Sequence, residues 1–383
     1  MSAIWIEAAQ EVLPIGIAEK KGLGHPDTIC DEVTERISVE LSKYYLREFG
    51  AIQHHNVDKA LLIGGVSEPA FGGGRILKPM SLIVAGRATA LVQDKPVPVQ
   101  DIAVETARAW LRQHLPHLDV EKHVQISAQI RSGSPDLVEL FQRFGRGETP
   151  LANDTSYGAG YYPNSPMENA ILRADQLLRE EATRQEFPFI GQDTKVMGVA
   201  EAGKMQFTVA IAMIDRYIAG VADYAQKLVQ VKRHISSALG LPASAVAINT
   251  ADDIERASIY LTVTGTSAES GDDGQVGRGN RINGLITPYH PMSLEAASGK
   301  NPVSHVGKIY NYFAMDLSRS LVEQQFTDSA QVFLVSRIGH PIDAPQLLHL
   351  KVGTLMERKT RIREYAREKL RELPGFWKRI VQV

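Results

Sequence analysis

Three stretches of the chain each contain two apolar, β-rich runs separated by a glycine-containing turn, a pattern that predicts β-hairpins. They span residues 58–89, 191–214 and 329–353. Between them, apolar residues recur at about helical spacing, which predicts helices near 28–50, 99–116, 165–185, 218–240 and 305–325. Three hairpin-plus-helix units of comparable size indicate a threefold plan, although the letters themselves show no repeat.

The composition is that of a soluble globular protein, with 44% hydrophobic and 22% charged residues. A length of 383 residues favours two or three domains. The net charge of −2 offers no global field for nucleic acid, so any anion site has to be a local cluster. The single cysteine, Cys30, excludes an intrachain disulfide, and we find neither a signal peptide nor a membrane-spanning run. We expect a cytoplasmic protein that binds neither nucleic acid nor membrane.

The stretch from residue 271 to residue 308 has the composition of a polyphosphate site. Its seven glycines allow the backbone to approach a ligand closely. Its charged residues include Arg278, Arg281, Lys300 and Lys308, with Asp272 and Asp273 as candidate ligands of a hard cation. A long surface loop is the alternative interpretation, yet loops of this length are uncommon unless they are functional or disordered.

A second candidate is the predicted strand-to-helix turn at residues 22–28, which contains His25 and Asp27. Backbone N–H groups at a helix start point outwards and bind anions, so this turn suits a phosphate or a metal phosphate. The alternative is that Asp27 or Thr28 is an ordinary N-cap.

Three further motifs are less specific. Asp193 and Lys195 open a predicted strand, where the lysine either holds phosphate or is a solvated strand end. The loop at Arg131–Asp136 is either a nucleotide cradle or a capped turn. The His-His-Asn-x-Asp segment at 54–58 matches no zinc pattern, so we interpret its histidines as loop residues.

Several familiar motifs are absent from the sequence. Near Lys300, Leu294 stands where a P-loop needs its first glycine, and Asn301 stands where Ser or Thr should follow. No G-x-G-x-x-G opens a helix after a predicted strand, and neither H-E-x-x-H nor G-x-S-x-G is present. Cys30 lies on an apolar helical face, which favours a core residue over a nucleophile. The predicted phosphate site is therefore not a Walker motif.

Taken together, several blocks resemble those of the archaeal-type S-adenosylmethionine synthetases, or methionine adenosyltransferases. They are GLGHPDTICDE, HHNVDK, ANDTSYGAGY, GQDTKVMG, GDDGQVGRGNRINGLITP and SGKNPVSHVGKIYN. The resemblance covers nearly the whole chain and implies an α/β (α+β) fold of three pseudo-threefold-related domains, each a mixed β-sheet with helices packed on one face. Within a single 1–383 unit, the interleaved sheet regions are expected near 14–130, 150–240 and 245–355.

The resemblance also implies an enzyme that makes S-adenosylmethionine from ATP and L-methionine, with two Mg²⁺ ions and K⁺ as cofactors. Methionine sulfur attacks C5′ of ATP, and the triphosphate that leaves is cleaved to phosphate and diphosphate. Sulfur needs no base, so the barrier lies in the charge that collects on O5′ and the triphosphate. Removing one preorganised donor from such a site typically costs about 3–4 kcal/mol. The implied assembly is a homodimer with active sites at the subunit interface.

Residue roles follow from the same resemblance, motif by motif. The implied catalytic residues are His25, Lys195, Arg278 and Lys300, with His25 meeting O5′ or the adjacent phosphate. The implied ATP and phosphate ligands are Glu19, Arg131, Ser132, Gly133, Ser134, Pro135, Asp136, Asp193, Arg281 and Lys308. Asp154 and Asp272 are implied for methionine. The implied metal ligands are Asp27 and Asp272 for magnesium and Asp58 for potassium.

Two places depart from the expected pattern. His290 stands where we expect arginine, which implies a changed phosphate affinity or pH dependence, since histidine is largely neutral near pH 7. His305 and Lys308 follow the GKNP block with a spacing that differs from the bacterial branch of the family.

Two other functions stay open at this point. One is a catalytically silent paralogue that binds nucleotide or regulates an active subunit, although such a copy would be free to lose charged residues that are present here. The other is an ATP-dependent ligase or phosphotransferase, which would share ATP, Mg²⁺ and phosphate-binding cations but would not need methionine.

Overall fold

The structure is a computed structural model that describes residues 3–9, 14–133, 141, 149–353 and 358–382. Its helices are α1 (Pro26–Phe49), α2 (Val99–His114), α3 (Val120–His123), α4 (Pro166–Arg179), α5 (Glu181–Glu186), α6 (Val221–Ala238), α7 (Val306–Glu323), α8 (Lys359–Arg371) and α9 (Trp377–Val381). None of the helices in these ranges is both long and apolar enough to cross a membrane.

The strands include the three predicted hairpins. They are β1 (Ala3–Ala8), β2 (Ile15–Lys21), β3 (His55–Ile63), β4 (Val66–Glu68), β5 (Arg75–Lys78), β6 (Met80–Ala88), β7 (Leu91–Val92), β8 (Lys95–Pro96), β9 (Val124–Arg131), β10 (Tyr157–Tyr162), β11 (Ile190–Glu201), β12 (Lys204–Ile214), β13 (Val246–Ile248), β14 (Leu261–Thr262), β15 (Gly274–Gln275), β16 (Ala330–Val335) and β17 (Leu347–Val352).

Three mixed sheets form the framework, and each joins strands that are far apart in the sequence. Their strand orders are β1-β17-β16-β10 in the first sheet, β13-β12-β11-β2 in the second and β15-β3-β6-β9 in the third. In the second sheet β14 also pairs with β12. The sheets therefore interleave along the chain instead of following one another.

All three sheets share one topology. Each is built on an antiparallel hairpin, which is β16–β17, β11–β12 or β3–β6. The first strand of each hairpin has an antiparallel neighbour, which is β10, β2 or β15. The second strand has a parallel neighbour, which is β1, β13 or β9. The predicted class of mixed sheets on one repeated plan is confirmed, whereas the predicted domain limits stay a prediction.

Helices cover one face of each sheet, and a separate apolar core lies beneath each helical layer. α1 and α2 pack on the third sheet, α4 and α6 on the second, and α7 and α8 on the first. Fully buried residues of these cores include Leu41, Leu82, Ile171, Val196, Phe313 and Leu350. Burial of such side chains contributes about 1.5–3 kcal/mol each and holds each helix to its own sheet.

In the described residues, the face of each sheet opposite its helical layer has exposed positions, and we call it the uncovered face. Trp5 of β1, Leu61 of β3 and Val199 of β11 lie on these uncovered faces and are 63%, 41% and 40% exposed. Their strand neighbours Ile6 and Leu62 are buried, because successive strand residues point to opposite faces. Each sheet thus exposes an apolar side chain on the face opposite its helices.

The first helix of each unit begins with a side-chain cap. His25 Nδ1 accepts the N–H of Asp27 at 3.2 Å at the start of α1. Ser165 Oγ accepts the N–H of Glu168 at 3.2 Å at α4, and His305 Nδ1 accepts the N–H of Gly307 at 3.2 Å at α7. The N-cap of α1 is therefore His25, and the alternative that placed the cap at Asp27 or Thr28 is wrong.

Candidate active site

Strands β2 and β11 bring the first charged residues together on the uncovered face of the second sheet. Their antiparallel register places Lys21 opposite Lys195 and Glu19 opposite Met197. Lys195 Nζ lies 3.1 Å from Glu19 Oε2, and Lys21 Nζ lies 3.9 Å from Glu19 Oε1. The Glu19 carboxylate therefore lies between two ammonium groups.

Asp27, in the first turn of α1, connects this face to the 271–308 stretch. Its Oδ2 accepts a hydrogen bond from Lys21 Nζ at 2.9 Å. Its Oδ1 accepts the backbone N–H of Gln275 at 3.0 Å and lies 3.7 Å from Arg278 Nε. The Arg278 side chain is 69% exposed, so its guanidinium is open to a ligand.

His25 presents one ring nitrogen to the same site. Because Nδ1 accepts the Asp27 N–H, we assign the ring proton of the neutral imidazole to Nε2. Burial lowers the pKa of His25 below its ordinary value, and the Asp193 carboxylate opposes that shift. The imidazole is therefore neutral near pH 7, with its Nε2–H available as a donor.

Asp193 and Asp272 meet at Ser267. Ser267 donates its backbone N–H to Asp193 Oδ2 at 2.8 Å, and its Oγ lies 2.6 Å from that oxygen and 3.0 Å from Asp272 Oδ2. Tyr260 donates its hydroxyl to Asp193 Oδ2 at 3.3 Å. Burial raises the pKa of Asp193, and the neighbouring His25 opposes this. Two carboxylates are thus held beside the His25 ring.

We call this set the His25 cluster: Glu19, Lys21, His25, Asp27, Asp193, Lys195, Ser267, Asp272 and Arg278. All of its members except Lys21 and Ser267 are residues that the sequence predicted. The close approach of the turn to β11 requires a glycine, since a Cβ on Gly24 would lie 2.4 Å from the Asp193 backbone nitrogen. The turn, the strand pair and the 271–308 stretch are therefore brought to one place.

Lys300 and Lys308 lie in a second group, the Lys300 cluster, which consists of Glu35, Glu295, Lys300, His305 and Lys308. Lys300 Nζ donates to Glu295 Oε2 and to the carbonyl oxygen of Ala296, both at 2.5 Å. Lys308 Nζ donates to both carboxylate oxygens of Glu35. Glu35 lies eight residues beyond Asp27 on α1, which separates them by about 12 Å along the helix. Within one chain, the predicted phosphate cations thus fall into two groups.

The surroundings of the Lys300 cluster include the predicted potassium ligand. Asp58 is ion-paired with Lys59. Its backbone lies close to Gly299, since a Cβ added to Gly299 would be only 2.8 Å from the Cα of Asp58. Burial lowers the pKa of Lys308, and Glu35 opposes that shift. A cavity of ≈ 230 Å³, lined by Asp31, Glu35 and Glu295 among others, adjoins the Lys300 cluster.

The described part of the predicted nucleotide loop, Arg131, Ser132 and Gly133, lies at a third place. Ser132 and Gly133 line a cavity of ≈ 270 Å³ together with Asn153 and His305. Arg87 donates to the Ser132 carbonyl oxygen at 3.2 Å. This cavity touches the Lys300 cluster through His305.

Asp154, the predicted methionine ligand, follows Asn153, which lines that cavity, and the Oδ1 of Asp154 accepts the Thr155 N–H at 2.7 Å. Ser134, Pro135 and Asp136 lie outside the described residues.

Arg281 and His290 make contacts within the chain. Arg281 donates to the carbonyl oxygens of Gly277 and Gly279, at 2.5 and 2.7 Å. His290 Nδ1 lies 2.8 Å from Glu168 Oε1, which also accepts the hydroxyl of Tyr161 at 2.7 Å. His290 therefore contacts a buried carboxylate, away from the His25 cluster.

Sequence reasoning missed Lys21, Ser267 and Glu35. Alternation along β2 was the available signal for Lys21, since residues 19 and 21 share one face of a strand. Helical spacing was the signal for Glu35, which lies on the same face of α1 as Asp27. Nothing in the sequence indicated Ser267, because its contact with Asp193 joins residues that are 74 positions apart.

The carboxylates of the His25 cluster fit a metal ion that is shared with a ligand. Among the residues that the structure describes, no three His, Cys, Asp or Glu side chains are grouped so that they alone could hold a metal. Mg²⁺, however, is typically bound by one or two carboxylates, with substrate phosphates and waters completing its octahedron. Asp27 and Asp272 meet that requirement.

Comparisons with known proteins agree on one family. The family model described as S-adenosylmethionine synthetase (AdoMet synthetase) matches residues 4–383. The probable S-adenosylmethionine synthase of Aquifex aeolicus (strain VF5) is 48% identical over 373 residues, covering 95% of this chain and 93% of that protein. The S-adenosylmethionine synthase of Methanocaldococcus jannaschii is 45% identical over 354 residues, covering 90% of this chain and 87% of that protein.

A solved structure supports the fold alone. An unusual S-adenosylmethionine synthetase from Campylobacter jejuni superimposes with a TM-score of 0.62, covering 95% of this chain and 88% of the other. At 14% sequence identity, this likeness extends to the architecture and not to individual side chains.

Proposed function

The chain belongs to the S-adenosylmethionine synthetase family, and we propose that its His25 cluster binds the triphosphate of ATP during catalysis. The protein is an enzyme that makes S-adenosylmethionine from ATP and L-methionine. The observation that carries the assignment is the meeting of two exposed cations, Lys195 and Arg278, with buried carboxylates and a neutral imidazole. That combination suits a leaving group that gains negative charge.

Each side chain of the cluster has a distinct task in this proposal. The Nε2–H of His25 donates to O5′ as the C5′–O5′ bond breaks, and Nδ1 stays occupied by the Asp27 N–H. Lys195 and Arg278 bind phosphate oxygens, and Glu19 orients Lys195 through their 3.1 Å ion pair. In this step no side chain has to remove a proton, because sulfur attacks as it stands.

Asp27 and Asp272 would hold the magnesium ions. Asp193 orients Asp272 through Ser267, which bonds to both carboxylates. When bound, magnesium supplies charge neutralisation on the triphosphate. We assign K⁺ to Asp58, which lies beside the Lys300 cluster.

The remaining predicted residues complete the proposed site. We assign Lys300, Arg281 and Lys308 to phosphate binding, and Asp154 to binding of the methionine ammonium. We assign the loop that begins at Arg131 to nucleotide binding. Support for the last two assignments is a cavity that Ser132 and Gly133 of this loop line together with Asn153, the residue before Asp154.

The proposed assembly is a homodimer with active sites at the interface. Its support is the uncovered apolar face of the three sheets, which carries Trp5, Leu61 and Val199 and also bears Lys195 of the His25 cluster. Light scattering on the purified protein should give twice the 42.1 kDa chain mass. Leu61→Lys should shift that mass towards the monomer, and a monomeric wild type would refute the proposal. A cytoplasmic location is proposed too, supported by the free thiol of Cys30.

The function is tested by incubating the purified protein with ATP, L-methionine, Mg²⁺ and K⁺. We expect S-adenosylmethionine together with phosphate and diphosphate. Phosphate release without the sulfonium product would favour an ATP-dependent phosphotransferase, and binding of ATP without turnover would favour a silent paralogue. Omission of Mg²⁺ tests the metal assignment, and replacement of K⁺ by a large organic cation tests the assignment of Asp58.

A further inference from the structure

Helix α1 presents two carboxylates to the turn that follows β15, residues 275–279. Asp27 Oδ1 accepts the N–H of Gln275 at 3.0 Å. One helical turn later, Asp31 Oδ1 accepts the N–H of Gly277 at 2.9 Å, and Asp31 Oδ2 accepts the N–H of Gly279 at 3.1 Å. Two successive turns of α1 therefore bind three backbone amides of this one turn.

The two oxygens of Asp31 bind the amides on either side of Arg278. On the carbonyl side of the same segment, Arg281 donates to the oxygens of Gly277 and Gly279. Lys21 Nζ donates to the carbonyl oxygen of Arg278 itself at 2.8 Å. The backbone around Arg278 is thus held through both its N–H groups and its carbonyl oxygens.

Asp31 packs closely against the backbone of Gly279. A Cβ added at Gly279 would lie 2.2 Å from Asp31 Oδ2, so a glycine at 279 is needed for this approach. Asp31 itself is 7% exposed, and both of its oxygens are occupied by backbone amides. Its carboxylate is therefore bound to backbone donors and acts through the segment that it holds.

We propose that Asp31 is a positioning residue, which fixes the backbone of Arg278 so that the guanidinium meets the triphosphate where charge develops. This inference rests on the proposed function of Arg278. It adds that catalysis depends on a buried carboxylate whose two oxygens are bound to backbone amides. Asparagine cannot replace Asp31, because one acceptor oxygen becomes an NH₂ group facing a backbone N–H.

The test is a double-mutant cycle on kcat between Asp31→Asn and Arg278→Ala. We expect Asp31→Asn to lower kcat by about 10-fold in the wild-type background and by less than about 2-fold in the Arg278→Ala background, because the first change acts through the second residue. The methionine KM should stay within about 2-fold, since Asp31 holds only the Arg278 segment. Equal losses in both backgrounds would overturn the inference.

Further variants distinguish a loss of folding from a loss of positioning. Gly279→Ala keeps every charge but displaces the Asp31 carboxylate, so it should reproduce the kcat loss of Asp31→Asn if the latter fails to fold. Asp31→Glu should recover part of the lost kcat. Glu32→Gln removes the next carboxylate along α1 and should leave kcat unchanged. If Arg278→Ala alone leaves kcat unchanged, the proposed function of Arg278 fails. If only Arg278→Ala lowers kcat, the positioning role of Asp31 fails.

Discussion

Glu35 and Lys308 form an ion pair inside the protein, with Lys308 Nζ lying 2.8 and 2.7 Å from the two carboxylate oxygens of Glu35. The Lys308 side chain is 0% exposed, so water cannot replace its partner. We expect Glu35→Gln to lower the free energy of unfolding by about 3–5 kcal/mol, because it leaves a buried charge without its counterion. Urea denaturation monitored by circular dichroism would measure the loss.

Glu32→Gln is the matched control for Glu35→Gln. Glu32 lies on the same helix but is exposed, so its loss should change the free energy of unfolding by no more than about 0.5 kcal/mol. Equal effects of the two substitutions would contradict the structural importance of the Glu35–Lys308 pair.

The burial of His55 predicts that the free energy of unfolding falls in acid. Burial lowers the pKa of His55 from 6.5 to about 3 in the folded chain. The unfolded chain therefore takes up a proton near pH 6.5 that the folded chain does not, and stability falls as the pH drops from 6.5 towards 3. Between pH 7 and pH 5 we expect this residue to account for a loss of about 2 kcal/mol.

Urea denaturation of the wild type and of His55→Asn at both pH values would measure the contribution of His55. The variant has no titrating group at this position, so its free energy of unfolding should fall less between pH 7 and pH 5. The same pH dependence in both proteins would show that His55 is not responsible.

Lys300→Ala should lower the rate of S-adenosylmethionine formation by about 100-fold or more, as expected for a charge contact made in the transition state. The Lys300 side chain is 8% exposed and holds Glu295, so thermal unfolding has to be recorded alongside the rate. Lys204→Ala, an exposed lysine at the start of β12, serves as the control. A near-wild-type rate for Lys300→Ala would remove Lys300 from the site.

His290→Arg should leave the fold intact and should change the KM for ATP by less than about 2-fold, because the side chain at 290 contacts Glu168 instead of the His25 cluster. Arginine can still donate to the Glu168 carboxylate, so that buried group keeps a partner. Initial rates at varied ATP would measure this. A larger change in KM would show that residue 290 affects binding of the ATP phosphates.

Local patterns were sufficient for the elements and the family. Runs of β-rich residues around Gly-containing turns predicted the hairpins β3–β6, β11–β12 and β16–β17, because strand and turn preferences act over a few residues. The motif blocks identified the S-adenosylmethionine synthetase family and pointed to His25, Asp193 and Arg278 before their proximity was known. The charge and glycine content of residues 271–308 predicted a phosphate site, and this stretch contributes Asp272 and Arg278 to the His25 cluster, while its function stays a prediction.

Long-range contacts decided the rest. The sequence placed Arg278 and Lys300 in one stretch and suggested one phosphate clamp, yet α1 holds Arg278 beside Asp27 and Lys300 near Glu35, two turns away. No local preference encodes that separation, because it depends on which backbone amides reach the carboxylates of α1.

The amino-acid order of this chain was enough to establish its hairpins, its helices and its enzyme family, since these follow from short-range preferences and contiguous motifs. Only the tertiary structure revealed the pairing of β1 with β17, the neutral donor form of His25 and the hold of Asp31 on the Arg278 segment. Each of these arises from contacts or burial that exist only once distant segments pack together.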